Sequence, residues 1–327
     1  WPDSRCGGLF ASAANTELQT VEITNKRSDL YGGGLFVAIS AFLTDTHVTD
    51  NTTGSRGGGL CQNTASGWIE ISKSSFERNS VTDGNGGGLY IWGSIALTET
   101  QLLSNTASAD GGGLHVENSV ALSGTQVLSN TAGSNGGGLY QAQSGRWADM
   151  TNGHFRGNES TLGNGGGLYV RGTATLDGTE VLSNTSGHWG AGMFFSTIAS
   201  LSEVDVIGNT ATESGGGLYQ SGSAGSISIR NGLFERNVAE GLEPAAACMP
   251  SLPFRRPMTC LRATRRLPAP GSIWPEMGAH RRQYVTRPSS VQRWAVDRRS
   301  TLPVVQRTSS TLLSPAILQG SGRPVGR

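Results

Sequence analysis

The sequence predicts an all-β chain: a right-handed parallel β-helix of about nine coils over residues 1–240, followed by a basic, proline-rich tail over 241–327. Three observations predict it. A glycine run ending in an apolar residue returns nine times at near-constant spacing, an asparagine column keeps step with it, and the short runs between them alternate apolar and polar.

The glycine strings come first. GNGGGLY at Gly84–Tyr90 and Gly163–Tyr169, SNGGGLY at Ser134–Tyr140 and SGGGLY at Ser214–Tyr219 have the look of a phosphate loop. Such a loop needs a strand before it and a helix after it, whereas a strand pattern follows each of these. Taking the apolar residue after each run as a marker gives Leu9, Leu35, Leu60, Leu89, Leu114, Leu139, Leu168, Met193 and Leu218. The gaps are 26, 25, 29, 25, 25, 29, 25 and 25, so two short units and one long unit make a 79-residue super-repeat. The glycine before each marker, from Gly8 and Gly34 through Gly217, never varies, while the middle one becomes Ala191. The invariant one is a joint that needs either positive φ or close backbone stacking.

The asparagines lie sixteen residues after the marker in short units and nineteen in long ones: Asn25, Asn51, Asn79, Asn105, Asn130, Asn158, Asn184, Asn209 and Asn237. In long units they close FERN or FRGN, at Phe76–Asn79, Phe155–Asn158 and Phe234–Asn237. An asparagine side chain tolerates left-handed turns and can bond its counterpart one unit along. A ladder of such amides would satisfy polar groups buried in a stack.

Between the two columns, Leu89 and Ile91, then Ile95 and Leu97, alternate with polar residues, and a third run holds Leu102, Val127, Val181 or Val206. Period two over so few residues means half-buried strands. Three short strands in about 25 residues, with no room for a helix, make one coil of a parallel β-helix, its strands paired one unit along at roughly 4.8 Å. Propeller blades need about 40 residues and four strands.

Composition divides the chain in two. The repeating body is acidic and glycine-rich with Pro2 its only proline, while residues 241–327 hold fourteen arginines, no lysine, and only Glu243, Glu276 and Asp297 as acids. One reading of the tail is a disordered basic extension of the kind that binds nucleic acid or an anionic surface. The other is a shift of reading frame. The super-repeat places the next marker at 247; codons for Pro244–Met249, read from each third base, permit Gly-Gly-Gly-Leu-Tyr with its leucine beginning in codon 247. Cys6, Cys61, Cys248 and Cys260 form neither a metal signature nor a disulfide framework. No apolar run reaches membrane-spanning length. With Trp1 first and no signal peptide, the chain reads as a mature or truncated piece.

The FxxN strings paired with GGG-Leu-aromatic strings resemble the polymorphic outer membrane protein repeat, over roughly Cys6 to Asn237. That family pairs FxxN with a GGA-Ile type string, which is GGG-Leu here. The resemblance implies a pectin-lyase-like right-handed β-helix and an exported passenger, extracellular, at the cell surface or at the outer membrane. For such a passenger the expected role is adhesion, with surface glycans or host or neighbour-cell proteins as partners and no nucleic acid.

Parallel β-helices serve both enzymes and binding proteins, so chemistry must come from a site. An enzyme needs acids that converge on one face beside a basic partner. Ten residues after the marker stand Gln19, Asp45, Glu99, Gly124, Gly178 and Glu203, with Lys73, Asn152 and Asn231 at the same place in long units. These carboxylates are interrupted and read as solvated turn residues. His47, His115, His154, His188 and His280 share no column. No catalytic, cofactor or metal residue is assigned. The leading function is therefore a non-catalytic binding module; the alternative is a polysaccharide lyase or glycoside hydrolase. One column stands out, immediately after the markers: Phe10, Phe36, Cys61, Tyr90, His115, Tyr140, Tyr169, Phe194 and Tyr219. With markers inward, alternation turns it outward, either as a sheet-stabilising ladder or as a flat surface for partners, with Phe36, Tyr90, Tyr140, Tyr169, Phe194 and Tyr219 as the candidate contacts.

Overall fold

The computed structural model describes residues 6–222 and 225–241, all within the first of the chain's two units, Trp1–Ala269. The tail and frame-shift readings, with Cys248, Cys260 and His280, lie outside the described residues. The fold is a parallel β-solenoid of nine coils. Each coil carries four strand segments, one more than the three expected.

The first segment opens with the marker, as in Leu35–Val37 or Leu89–Ile91, and nine such segments form one sheet. The second and third, such as Ser94–Thr98 and Gln101–Leu103, are continuous in the first two coils as Asn15–Thr24 and Ser40–Thr49, which joins them into one sixteen-stranded sheet. The fourth is only two residues long, as in Thr106–Ala107, and nine of these form the last sheet. So short a segment has no period to read, and it is visible only through its pairing. Markers pair with markers throughout, as in Leu89↔Leu114 and Leu139↔Leu168.

Alternation determines what lies inside. Leu89, Ile91, Ile95 and Leu102 are fully buried, as are Phe76 and Phe155 of the FxxN strings. Full burial of such a side chain contributes about 1.5–3 kcal/mol, but only where a coil has neighbours on both sides.

The asparagines form the expected ladder. The backbone N–H and Nδ2 of Asn130 both donate to Asn158 Oδ1 at 3.0 Å, and Nδ2 also donates to the Leu102 carbonyl at 2.9 Å. Asn25 does not belong to it. The first coil has one extra residue between its paired positions Ala11 and Asn15, opposite Val37 and Ser40, so counting from Leu9 falls one residue short. Lys26 occupies the ladder position, donating its N–H to Asn51 Oδ1. Asn25 instead joins Asp50, Arg78 and Ser104 in a left-handed turn, with φ between 49° and 57°.

The glycine triple divides its duties. Positive φ falls on the first glycine, from Gly32 to Gly215, with values of 56° to 72°. The invariant third glycine answers to stacking: from Gly8 to Gly192, an added Cβ would lie 2.2–2.8 Å from a glycine carbonyl oxygen of the next coil. Long units carry a glutamine, buried at Gln62 and Gln141 and half-buried at Gln220, where short ones have Val37, Ile91 or Val116. Gln141 Nε2 donates to the Asn118 and Gln143 carbonyls, and its Oε1 accepts from Gly172 N–H. Gln62 does the same against Ile39, Thr64 and Gly93. A glutamine two residues after the marker thus anchors the longer loop that makes a unit long.

Candidate functional site

In-register parallel pairing puts one ring above another at the coil spacing of roughly 4.8 Å, close to the separation aromatic pairs prefer. The residues after the markers accordingly stack. Centroid distances are 4.9 Å for Tyr90–His115, 5.0 Å for His115–Tyr140 and Tyr140–Tyr169, 4.4 Å for Tyr169–Phe194 and 5.5 Å for Phe194–Tyr219. Phe10 and Phe36 form a separate pair at 5.0 Å, because Cys61 interrupts the column.

The stacking is that of the sheet-stabilising ladder, and Phe10 apart, which is 54% exposed, the column is less open than a flat surface for partners requires. Phe36, Tyr90 and Phe194 are only 3–5% exposed, while Tyr140, Tyr169 and Tyr219 are half-buried. Each ring covers its neighbour's face, and the left-handed glycine of each turn closes on the ladder's flank, Gly86 lying so close that a Cβ there would meet Tyr90 Cβ at 2.8 Å. What the ladder offers a partner is ring edges and phenol oxygens, not ring faces.

Around Tyr90 the ladder becomes polar. Tyr90 Oη donates to Glu117 Oε1 at 3.3 Å, His115 Nε2 lies 3.1 Å from the same oxygen, and the Arg56 guanidinium stands 5.0 Å over the Tyr90 ring. The hydrogen bond from His115 holds Glu117 below the ordinary carboxylate range, so Glu117 is an anion. Burial raises the Tyr90 phenol and pushes the Cys61 thiol and Tyr140 phenol up to about 12, so all three stay protonated at neutral pH. Arg56 and Glu117 escaped the sequence reading. The signal for Glu117 was its place two residues after His115, just past the end of the Leu114–Val116 strand; Arg56 had no such signal, because it arrives from a neighbouring turn.

The turn acids stand apart, as read. Asp45, Glu99 and Glu203 are exposed, with Lys73, Asn152 and Asn231 on the same left-handed corner, at φ of 48° to 54°. Thr20, not Gln19, is the first coil's member, for the reason that displaced Asn25. His154–Glu180 and His188–Glu213 pair at 3.1 and 2.6 Å on the surface. The first borders a shallow depression of about 260 Å³ formed with Gln126 and Arg156. Among the described residues no group of three His, Cys, Asp or Glu side chains is placed to hold a metal ion.

Ring faces hidden in the ladder are offered at the neighbouring corner. Trp68 and Trp147 open the second segments of two long coils, at equivalent positions opposite Ser94 and Thr173, 36% and 41% exposed. Three coils separate them, about 14 Å at the usual strand spacing. Trp92, also exposed, follows the ladder strand of Tyr90. Recurrence of a tryptophan 79 residues on, after the loops NTASG and AQSGR, was readable in the sequence.

A second amide ladder runs beside the glycine turns, in the opposite sense. Asn135 N–H and Nδ2 donate back to Asp110 Oδ1, and Asn164 N–H and Nδ2 donate back to Asn135 Oδ1. Before the glycine triples, Asn85, Asp110, Asn135 and Asn164 are therefore structural acceptors, each taking the backbone N–H of the next coil.

Fold and surface together define the class, a parallel β-solenoid repeat protein with one outer aromatic spine. The chain matches no protein-family model, no curated protein and no solved structure.

Proposed function

We propose that the solenoid is a non-catalytic cell-surface or secreted passenger that acts in adhesion, binding a surface glycan or a host or neighbour-cell protein along its long axis. The observation that carries this reading is the return of an exposed tryptophan at equivalent places, Trp68 and Trp147, beside the half-buried Tyr140, Tyr169 and Tyr219. A partner that lies across several coils meets indole faces at one corner and phenol oxygens along the spine. Exposed apolar groups gathered on one side of a soluble surface mark contact sites. The resemblance of the repeat to that of polymorphic outer membrane proteins supports export and surface display.

Binding to glycan arrays and to whole cells tests the reading. Trp68→Ala with Trp147→Ala should abolish binding, and Tyr140→Phe with Tyr169→Phe and Tyr219→Phe should weaken it while the stack is retained. Unchanged binding by both folded variants would overturn the proposal. Release of unsaturated or reducing sugar from acidic polysaccharides would replace it with the lyase or hydrolase alternative.

A further inference from the structure

The described stack ends on an open face. Phe76 and Phe155 are fully buried, but their counterpart Phe234 in the ninth coil is 40% exposed, and Ile229, in register with the buried Leu201, is 39% exposed. The amide ladder stops there too. From Asn51 to Asn209 each backbone N–H donates to the next asparagine's Oδ1, whereas that of Asn237 has no partner among the described residues. Such a face is one half of a coil-to-coil contact, and its unpaired strand edges invite another strand.

We infer that this face is built to receive a tenth coil of the same repeat, encoded after residue 241 in the frame that starts at each codon's third base. The marker that this frame permits at codon 247 follows Leu218 by the 29 residues of a long unit. More of a short unit follows it in the same frame. Codon 253 yields only Phe, Leu, Ile or Val, because its third base precedes the TT of Phe254. Codon 260 permits Phe or Leu, codon 262 Gly or Ser, and codons 263–265 permit Asn-Thr-Ala. Counted from codon 247, these are the places that Ile95, Leu102, Ser104, Asn105, Thr106 and Ala107 hold after Leu89. The apolar residues would cover Ile227 and Phe234, as Ile95 and Leu102 cover Ile69 and Phe76, and the asparagine would accept the Asn237 N–H. A second copy of the chain would cover the same apolar area but has no reason to continue the register.

Two measurements decide it. The gene should carry G as the third base of codons 244, 245 and 246, C or T at 247, and T at 248. Bases that replace two of those glycines, or a stop codon in that frame before codon 265, overturn the inference. A frame-restored protein is then compared with the full chain by hydrogen exchange. The amides of Leu233–Glu235 and Asn237 should gain protection on the order of tenfold or more; equal exchange in the two proteins overturns the inference. So does a concentration-dependent dimer of the full chain that Phe234→Asp abolishes, which would make a second copy the occupant.

Discussion

The sixth coil and the ninth are written in nearly the same residues and differ in what surrounds them. FRGN at Phe155–Asn158 and FERN at Phe234–Asn237 take the same strand and turn, yet Phe155 is fully buried and Phe234 is 40% exposed. A coil of this solenoid therefore owns almost no stability of its own. It acquires a core when a neighbour closes over it, so the value of a residue depends on its rank in the stack as much as on its identity.

The comparison is broken most sharply at the phenylalanines. Phe155→Ala should cost about 3–5 kcal/mol in chemical denaturation, the usual loss for a phenylalanine deleted from a packed core. Phe234→Ala should cost roughly 1 kcal/mol or less, because little burial is lost at an open face. Equal losses would show that the ninth coil is covered in solution.

The amide ladder gives the next effect. Asn130→Ala leaves the N–H and Nδ2 of Asn105 without the acceptor they share and should cost about 1–3 kcal/mol. Asn237→Ala likewise takes the shared acceptor from the N–H and Nδ2 of Asn209, but at an edge that water reaches, and should cost less than half as much. Thermal melts of the two variants side by side measure the difference.

A smaller effect sharpens the contrast between coil bodies and their corners. Lys73 sits at φ 50° on an exposed corner where other coils have Gly124 and Gly178. Left-handed geometry costs a residue with a Cβ about 1 kcal/mol or more, which the greater chain entropy of glycine partly offsets. Lys73→Gly should therefore be neutral or stabilising by up to about 1 kcal/mol in urea titration. Gly113→Ala, by contrast, should be strongly destabilising, since its Cβ would meet the Gly138 carbonyl oxygen at 2.6 Å.

The smallest expected effect lies at Glu117. Its folded-state pKa is lowered, first by the hydrogen bond from His115. Its stabilising contribution is therefore present above the unfolded carboxylate value and is lost as pH falls through the folded one. Thermal melts below neutral pH should show a decline that Glu117→Gln flattens. An unchanged slope in that variant would mean that the carboxylate is not held by the ladder.

Much of this architecture was legible because a solenoid maps sequence period directly onto contacts. Residues one unit apart become hydrogen-bonded neighbours, so the markers, the asparagine column from Asn51 onward and the inward alternation could be read by counting alone. Counting failed where one residue was inserted: the extra position before Asn15 moved Asn25 out of the ladder and Thr20 into the turn. Only the tertiary structure decided how far the aromatic column is exposed. Alternation says that Tyr90 leaves the core, but whether it reaches water depends on the His115 ring stacked over it and the Arg56 side chain across it. The hydrogen bond from Tyr90 to Glu117 belongs to the same class. It is a contact between different coils at a turn, where no repeated spacing announces it and where burial is settled by what lies alongside.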